Sequence, residues 1–318
     1  MSNSPASSSP LSTSLVSPDA RALVTRSVGA ERILITGASG WLGRTALDLI
    51  ALLELPTLAL ASQPKTIRVA GRDIGCQVWD DDLVASFSPT IVLDCAFLTR
   101  DRVADMPLFH YAAANRMLTE RLLFASSLPD VRLTITVSSG AAVYPSDALA
   151  GPIEANPYGY LKREAEESLK SIAAERGIAA VVARAWSISG AYVQKPQAYA
   201  MGSMILGAND GTIHVKARGQ VYRRYVLAEE LLALGIAQGS VGSATIDSGG
   251  ELVEIGELAR RVATIVRKDA VIIREKCDDR AADRYHSDGI DWDQRCRAWG
   301  LSSASLEAQI TLTATGLV

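Results

Sequence analysis

Residues 33–43 read ILITGASGWLG, and this stretch restricts the fold more tightly than any other. Four apolar or β-branched residues end at Thr36, glycines follow at 37, 40 and 43, and a helix-forming run, RTALDLIALL, comes next. A buried strand that passes directly into a helix needs a turn in which backbone packs against backbone, and residues without a Cβ meet that need. The segment reads as strand, turn and crossover helix, the first unit of a layered α/β sheet.

Further apolar runs at 66–70, 90–93, 133–137 and 179–183 are separated by helix-length stretches. They lack strict alternation, as parallel strands covered on both faces do. The expected fold is α/β: a doubly wound parallel Rossmann sheet with a smaller C-terminal substrate lobe. The expected division is a disordered leader over 1–30, rich in Ser and Pro, a Rossmann domain over 31–185 and a lobe over 186–318. In that lobe the alternation stops and helices near 227–237 and 255–266 stand out.

With 48% hydrophobic residues in 318, the chain can bury a large core. A net charge of −3 provides no basic field for nucleic acid or an anionic membrane. The most apolar stretch, 47–61, is broken by Asp48, Glu54 and Pro56, so it is expected as a buried helix and its exit, not a membrane span. Cys76, Cys95, Cys277 and Cys296 lack metal or disulfide spacing and only three histidines are present, so no metal site is expected. The thiols read as reduced, in a cytoplasmic protein.

At the glycine turn, backbone N–H groups can approach a pyrophosphate, whose charge the start of the following helix favours. Gly37, Ser39, Gly40, Trp41, Leu42 and Gly43 form that expected cofactor site. Arg72, read as following the second strand, suits the 2′-phosphate of NADP, so NADP is the expected cofactor and NAD the alternative.

In NPYGYLKREAEE, Asn156 caps a helix, Pro157 takes its first position, and Tyr158 and Lys162 stand four residues apart on one face. A phenol of pKa about 10 is a weak acid or base at neutral pH; a nearby ammonium favours the phenolate and brings it toward working range. Upstream, TITVSSG ends a strand at Ser138 and Ser139, where a hydroxyl can steady a substrate oxygen.

Gly37-x-x-Gly40-x-x-Gly43, Ser138-Ser139 and Tyr158-x-x-x-Lys162, in this order, resemble the short-chain dehydrogenase/reductase superfamily. More narrowly they resemble its extended branch, the NAD(P)-dependent nucleotide-sugar epimerases, dehydratases and ketoreductases. Asp94-Cys95-Ala96, Asn115, ARAWSISG and RRYVLAEELLALGIA extend the resemblance over roughly residues 32–315. The resemblance implies that Tyr158 is the general acid/base, Lys162 tunes it and holds the nicotinamide ribose, and Ser139 polarises the substrate oxygen. It further implies that Arg223, with neighbouring Arg224 as the alternative, holds substrate phosphates and that Cys95, Ala96, Asn115 and Val137 line the cofactor pocket.

Departures narrow the implied chemistry. Gly140 stands where many relatives carry a hydroxyl, which moves that role to Ser139. Ala141 and Ala142 replace the Asp-Glu pair of the 4,6-dehydratases, and no Cys lies at this strand end for epimerisation at C3 and C5. The implied function is an NAD(P)-dependent oxidoreductase or epimerase acting on a nucleotide-activated sugar, by 4-keto reduction or C4 epimerisation. An NADPH-dependent reductase of a small ketone or aldehyde, and a non-catalytic dinucleotide-binding protein, are the alternatives. A homodimer through helices near 103–125 and 158–174 is also implied.

Overall fold

The computed structural model describes residues 14–145, 151–274 and 281–317. Residues 1–13 of the expected leader and Cys277 lie outside the described residues. The first half runs α1 (Pro18–Ser27), β1 (Ile33–Thr36), α2 (Trp41–Ile50), β2 (Thr57–Ala59), β3 (Lys65–Val69), β4 (Arg72–Cys76), α3 (Asp81–Phe87), β5 (Ile91–Asp94), α4 (Leu108–Ser126), β6 (Leu133–Ser139) and α5 (Pro157–Arg176). The second half runs β7 (Ala179–Ala185), β8 (Ile188–Ser189), α6 (Ala200–Asn209), β9 (Thr212–Val215), β10 (Val221–Leu227), α7 (Ala228–Gly239) and β11 (Ala244–Asp247). It closes with β12 (Glu251–Glu254), α8 (Ile255–Val266), β13 (Val271–Arg274), β14 (Asp283–Arg284), α9 (Ile290–Trp299) and α10 (Leu306–Thr315).

Six strands form one parallel sheet in the order β2-β1-β5-β6-β7-β11. Alternate residues of each strand feed opposite cores. Ile33 and Ile35 of β1 join α1, α2 and α7 on one face, whereas Leu34 joins α3, α4 and α5 on the other. The sheet is therefore doubly wound, as the apolar runs imply. The order reverses between β1 and β5, and the loops leaving those two strands open the crevice in which such sheets bind ligands.

Three expectations change. The second strand of the sheet is β2, not residues 66–70. The helix α2 ends at Ile50, and after a short connection the short apolar β2 pairs with β1. Residues 66–70 fall in β3 and its turn; among the described residues β3 pairs with β4 alone, in an antiparallel hairpin turned by Ala70 and Gly71, both at positive φ. That hairpin's alternating burial, half exposed, is the pattern of a ribbon off the core.

Second, residues 17–27 are not a disordered leader. Ser17 caps α1 by accepting from the Ala20 N–H, Pro18 takes the first position, and Ala20, Leu23 and Val24 bury completely in the core shared with α2 and α7. Three apolar residues at helical spacing were enough for docking, although the mean composition was polar.

Third, the chain crosses back over the 185/186 division. The α7 helix packs into the core of the main sheet, β11 extends that sheet beside β7, and Trp292 of α9 is wholly buried in the same core. The remaining C-terminal elements, α6, β9, β10, β12, α8 and α10, enclose a separate core around Ile205, Ile213, Val262 and Ile310. Among the described residues, no helix is long and apolar enough to cross a membrane.

Candidate active site

The glycine turn lies where the sheet order reverses. Gly37 adopts φ +62°, and a Cβ there would come within 2.7 Å of the Cys95 carbonyl oxygen, so the turn after β1 and the loop after β5 touch backbone to backbone. A Cβ on Gly43 would collide with the Gly37 carbonyl; this glycine lets α2 close on the turn. Gly40 is the N-cap of α2, which has neither a side-chain cap nor an acid in its first turn. The N–H groups of that turn, including those of Trp41 and Leu42, remain for an anion, so the segment fits a dinucleotide phosphate.

Beneath the crevice, Thr36, Asp94 and Thr136 lie in register across β1, β5 and β6. Both hydroxyls donate to the Asp94 carboxylate, at 2.6 and 2.8 Å. Burial raises the Asp94 pKa, against the opposing pull of the Thr36 hydrogen bond and the Lys162 charge. The Ala96 N–H donates to Thr36 Oγ1, and Asn115, fully buried on α4, accepts from the Leu98 N–H at 2.8 Å. Cys95 and Ala96 thus border the glycine turn, while Asn115 shapes their loop from behind. Burial raises the Cys95 thiol well above its ordinary range.

The start of α5 is built as its sequence dictates. Asn156 Oδ1 accepts from the Gly159 N–H at 3.0 Å and Pro157 opens the helix. Gly159 presses its backbone on the Ala141 carbonyl, and Arg163 donates to the Ala142 carbonyl at 3.0 Å. These contacts clamp the first turn of α5 to the bend after β6 and bring Tyr158 beside Ser139.

Lys162, buried one turn further, donates to the Val137 carbonyl at 2.7 Å and lies 3.7 Å from the centre of the Phe97 ring. Phe97 also meets the Tyr158 ring edge-on at 5.8 Å. Burial lowers the Lys162 pKa to about 8, opposed by Asp94 and then Glu166. The Tyr158 pKa is raised by burial, with the Ser139 hydroxyl opposing. The ammonium turns to Val137 and Phe97, and burial is the largest influence on the phenol.

Ser139 is held by an unexpected partner. Its Oγ lies 3.1 Å from the Tyr285 hydroxyl and accepts from the Ala141 N–H at 3.2 Å. The Tyr285 ring packs on Trp186 at 5.0 Å and Tyr144 at 5.8 Å. Arg223 lies 5.5 Å over the same ring and forms a two-pronged ion pair with Asp283. Tyr158 also borders a cavity of about 270 Å³ lined by Arg100, Val103, Ala104, Ala155, Asn156 and Pro157.

Two of the expected residues turn their side chains elsewhere. Arg72 opens β4 of the hairpin and donates to the Ala51 carbonyl at the end of α2, so it does not follow the second sheet strand. The side chain of Trp41 packs against Val193, Ala228 and the edge of Tyr199, away from the turn. Ser39 offers its carbonyl to the Arg44 guanidinium at 3.1 Å. Arg224, on the opposite side of β10 from Arg223, donates to the Gly250 carbonyl at 2.7 Å. Tyr285, Phe97 and Asp283 escaped the sequence reading. Phe97 sat two residues beyond Cys95, in a loop already assigned to the cofactor pocket; a two-residue strand such as β14 carries no periodicity that would mark Asp283 or Tyr285.

Solved structures similar to this chain share the fold. The UDP-glucose 4-epimerase from Brucella ovis, in complex with NAD, is 19% identical with TM-score 0.71, covering 90% of this chain and 99% of that one. The UDP-glucose 4-epimerase of Thermotoga maritima, with UDP-glucose, is 18% identical with TM-score 0.69, covering 90% and 98%. A UDP-N-acetylglucosamine 4-epimerase from Methanobrevibacter ruminantium, in complex with UDP-N-acetylmuramic acid, is 16% identical with TM-score 0.72, covering 91% and 99%. No curated relative matches the sequence. The sequence model of one family matches residues 33–234, from β1 into α7, a span that holds the glycine turn, Ser139, Tyr158, Lys162 and Arg223. On that match the chain belongs to the NAD dependent epimerase/dehydratase family.

Proposed function

We propose that this chain binds NAD and a nucleotide-activated sugar and interconverts sugar epimers at C4. The observation that carries the reading is the convergence of Ser139, Tyr158 and Lys162 at the mouth of the crevice opened by the glycine turn. The family match supports a nucleotide-sugar substrate, and the named activities of the similar structures support C4 as the reacting carbon.

NAD replaces NADP in this reading. The chain leaving β2 reads Leu60, Ala61, Ser62, Gln63, without charge, and Arg72 is engaged elsewhere. A neutral, hydroxyl- and amide-bearing strand end suits a ribose diol.

Bound nicotinamide dinucleotide supplies the hydride acceptor. Tyr158 takes the proton of the sugar hydroxyl as that carbon is oxidised and returns it on reduction. Ser139 steadies the same oxygen by hydrogen bonding. Lys162, cationic below about pH 8, provides positive charge that favours the phenolate against the larger opposing effect of burial. Arg223 holds the substrate diphosphate. A second copy packs against α4, where Phe109 and Met117 are exposed, and the neighbouring α5.

The test is titration with NADH and NADPH, followed by incubation with UDP-glucose and UDP-N-acetylglucosamine. Tighter binding of NADH, with conversion of one sugar to its C4 epimer and no net change in nicotinamide absorbance, is the expected result. Stoichiometric NADPH consumption would instead identify a ketoreductase.

A further inference from the structure

The two side chains assigned to substrate, Arg223 and Ser139, are both engaged by one short piece of the same chain. Asp283 pairs with Arg223 at 3.1 and 2.7 Å, and two residues later Tyr285 meets Ser139 at 3.1 Å. A carboxylate stands on the phosphate-binding guanidinium, and a phenol hydroxyl stands on the hydroxyl assigned to a sugar oxygen. The guanidinium lying over the Tyr285 ring links the two contacts into one unit.

This unit is lightly held. Among the described residues, its strand, β14, pairs with β10 at Val221–Asp283 and Tyr222–Arg284. Arg284 stacks on Tyr222 at 4.4 Å, and Tyr285 leans on Trp186 and Tyr144. The Asp283 side chain is 51% exposed and that of Arg223 20%, so the ion pair is worth well under tenfold in an equilibrium. A neutral hydroxyl pair such as Ser139–Tyr285 has a similar net value. A diphosphate, with two charges and several acceptor oxygens, outcompetes a single carboxylate for the guanidinium.

We propose that Asp283 and Tyr285 form an autoinhibitory contact: they occupy Arg223 and Ser139 in the free chain, so that a nucleotide sugar must displace both while a bare nucleoside diphosphate displaces Asp283 alone. The proposal rests on the nucleotide-sugar reading above. A bare nucleoside diphosphate displaces Asp283 and leaves Tyr285 on Ser139. A nucleotide sugar displaces both, and its affinity is lowered by both contacts.

The test is calorimetric titration of the full-length, NAD-loaded protein with UDP and with UDP-glucose, in the wild type, Asp283→Asn and Tyr285→Phe. Tyr285→Phe is expected to tighten UDP-glucose by roughly three- to tenfold and leave UDP unchanged, because only the sugar competes with the phenol. Asp283→Asn is expected to tighten both ligands by a similar factor. Weaker UDP-glucose binding in Tyr285→Phe, or equal affinities in all three proteins, overturns the proposal and leaves the nucleotide-sugar assignment standing. Failure of the wild type to bind either ligand overturns that assignment, and this proposal with it.

Discussion

The Lys162 ammonium donates to the Val137 carbonyl at 2.7 Å, which ties helix α5, the carrier of Tyr158, to the strand that ends in Ser139. The strand thereby fixes the distance between a hydroxyl and a phenol carried on different elements. It also buries the ammonium, so that its charge depends on Asp94 across the sheet.

That dependence predicts a pH profile. Lys162 has its pKa lowered to about 8, so the cationic form is present below that value and lost as pH rises through it. Activity is expected to fall above about pH 8. Asp94→Asn removes the largest influence opposing burial, and the alkaline limb of the kcat profile moves to lower pH by about one unit. An unmoved limb would show that Lys162 does not set it.

The glycine turn tolerates no side chain at its tightest point. Gly43→Ala drives a methyl into the Gly37 carbonyl, and the expected loss is about 2–4 kcal/mol of unfolding free energy in urea, together with weakened NADH binding.

Residues 14–27 are a structural part of the domain. Leu23 is fully buried on α1, so Leu23→Ala is expected to cost about 2–5 kcal/mol. A value near zero in chemical denaturation would return this segment to the status of a solvated leader.

Glu229, buried at the start of α7, has its pKa raised to about 8 by burial. The unfolded carboxyl releases its proton near pH 4.5 and the folded one near 8, so the folded state binds more protons between these values. The stability contribution is complete below about pH 4.5 and is lost as pH rises toward 8. Glu229→Gln should therefore raise the Tm at pH 8 more than at pH 5, measured by calorimetry.

Much of the sheet was legible because strand and helix signals in this fold are local. The Ile33–Thr36 strand, the Asn156-Pro157 helix start and the helix Ile255–Val266 each carry their own pattern of burial and capping. What escaped depended on partners distant in sequence. The Thr57–Ala59 strand is three residues long and gains its identity from pairing with Ile33, Leu34 and Ile35. The more strongly β-branched run at 66–70 drew the assignment, and with it the role given to Arg72. Ser139 and Lys162 could be read from their motifs, but Tyr285 reaches Ser139 across 146 residues of chain, through packing on Trp186 that no window of sequence records.

The most direct test is the turnover of UDP-glucose by Tyr158→Phe, measured by chromatography against the wild type at matched NAD occupancy. Proton transfer at the sugar oxygen is assigned to this phenol alone, so the variant should bind NADH normally and lose at least a hundredfold in kcat. Undiminished turnover by the variant would contradict the assignment of this site.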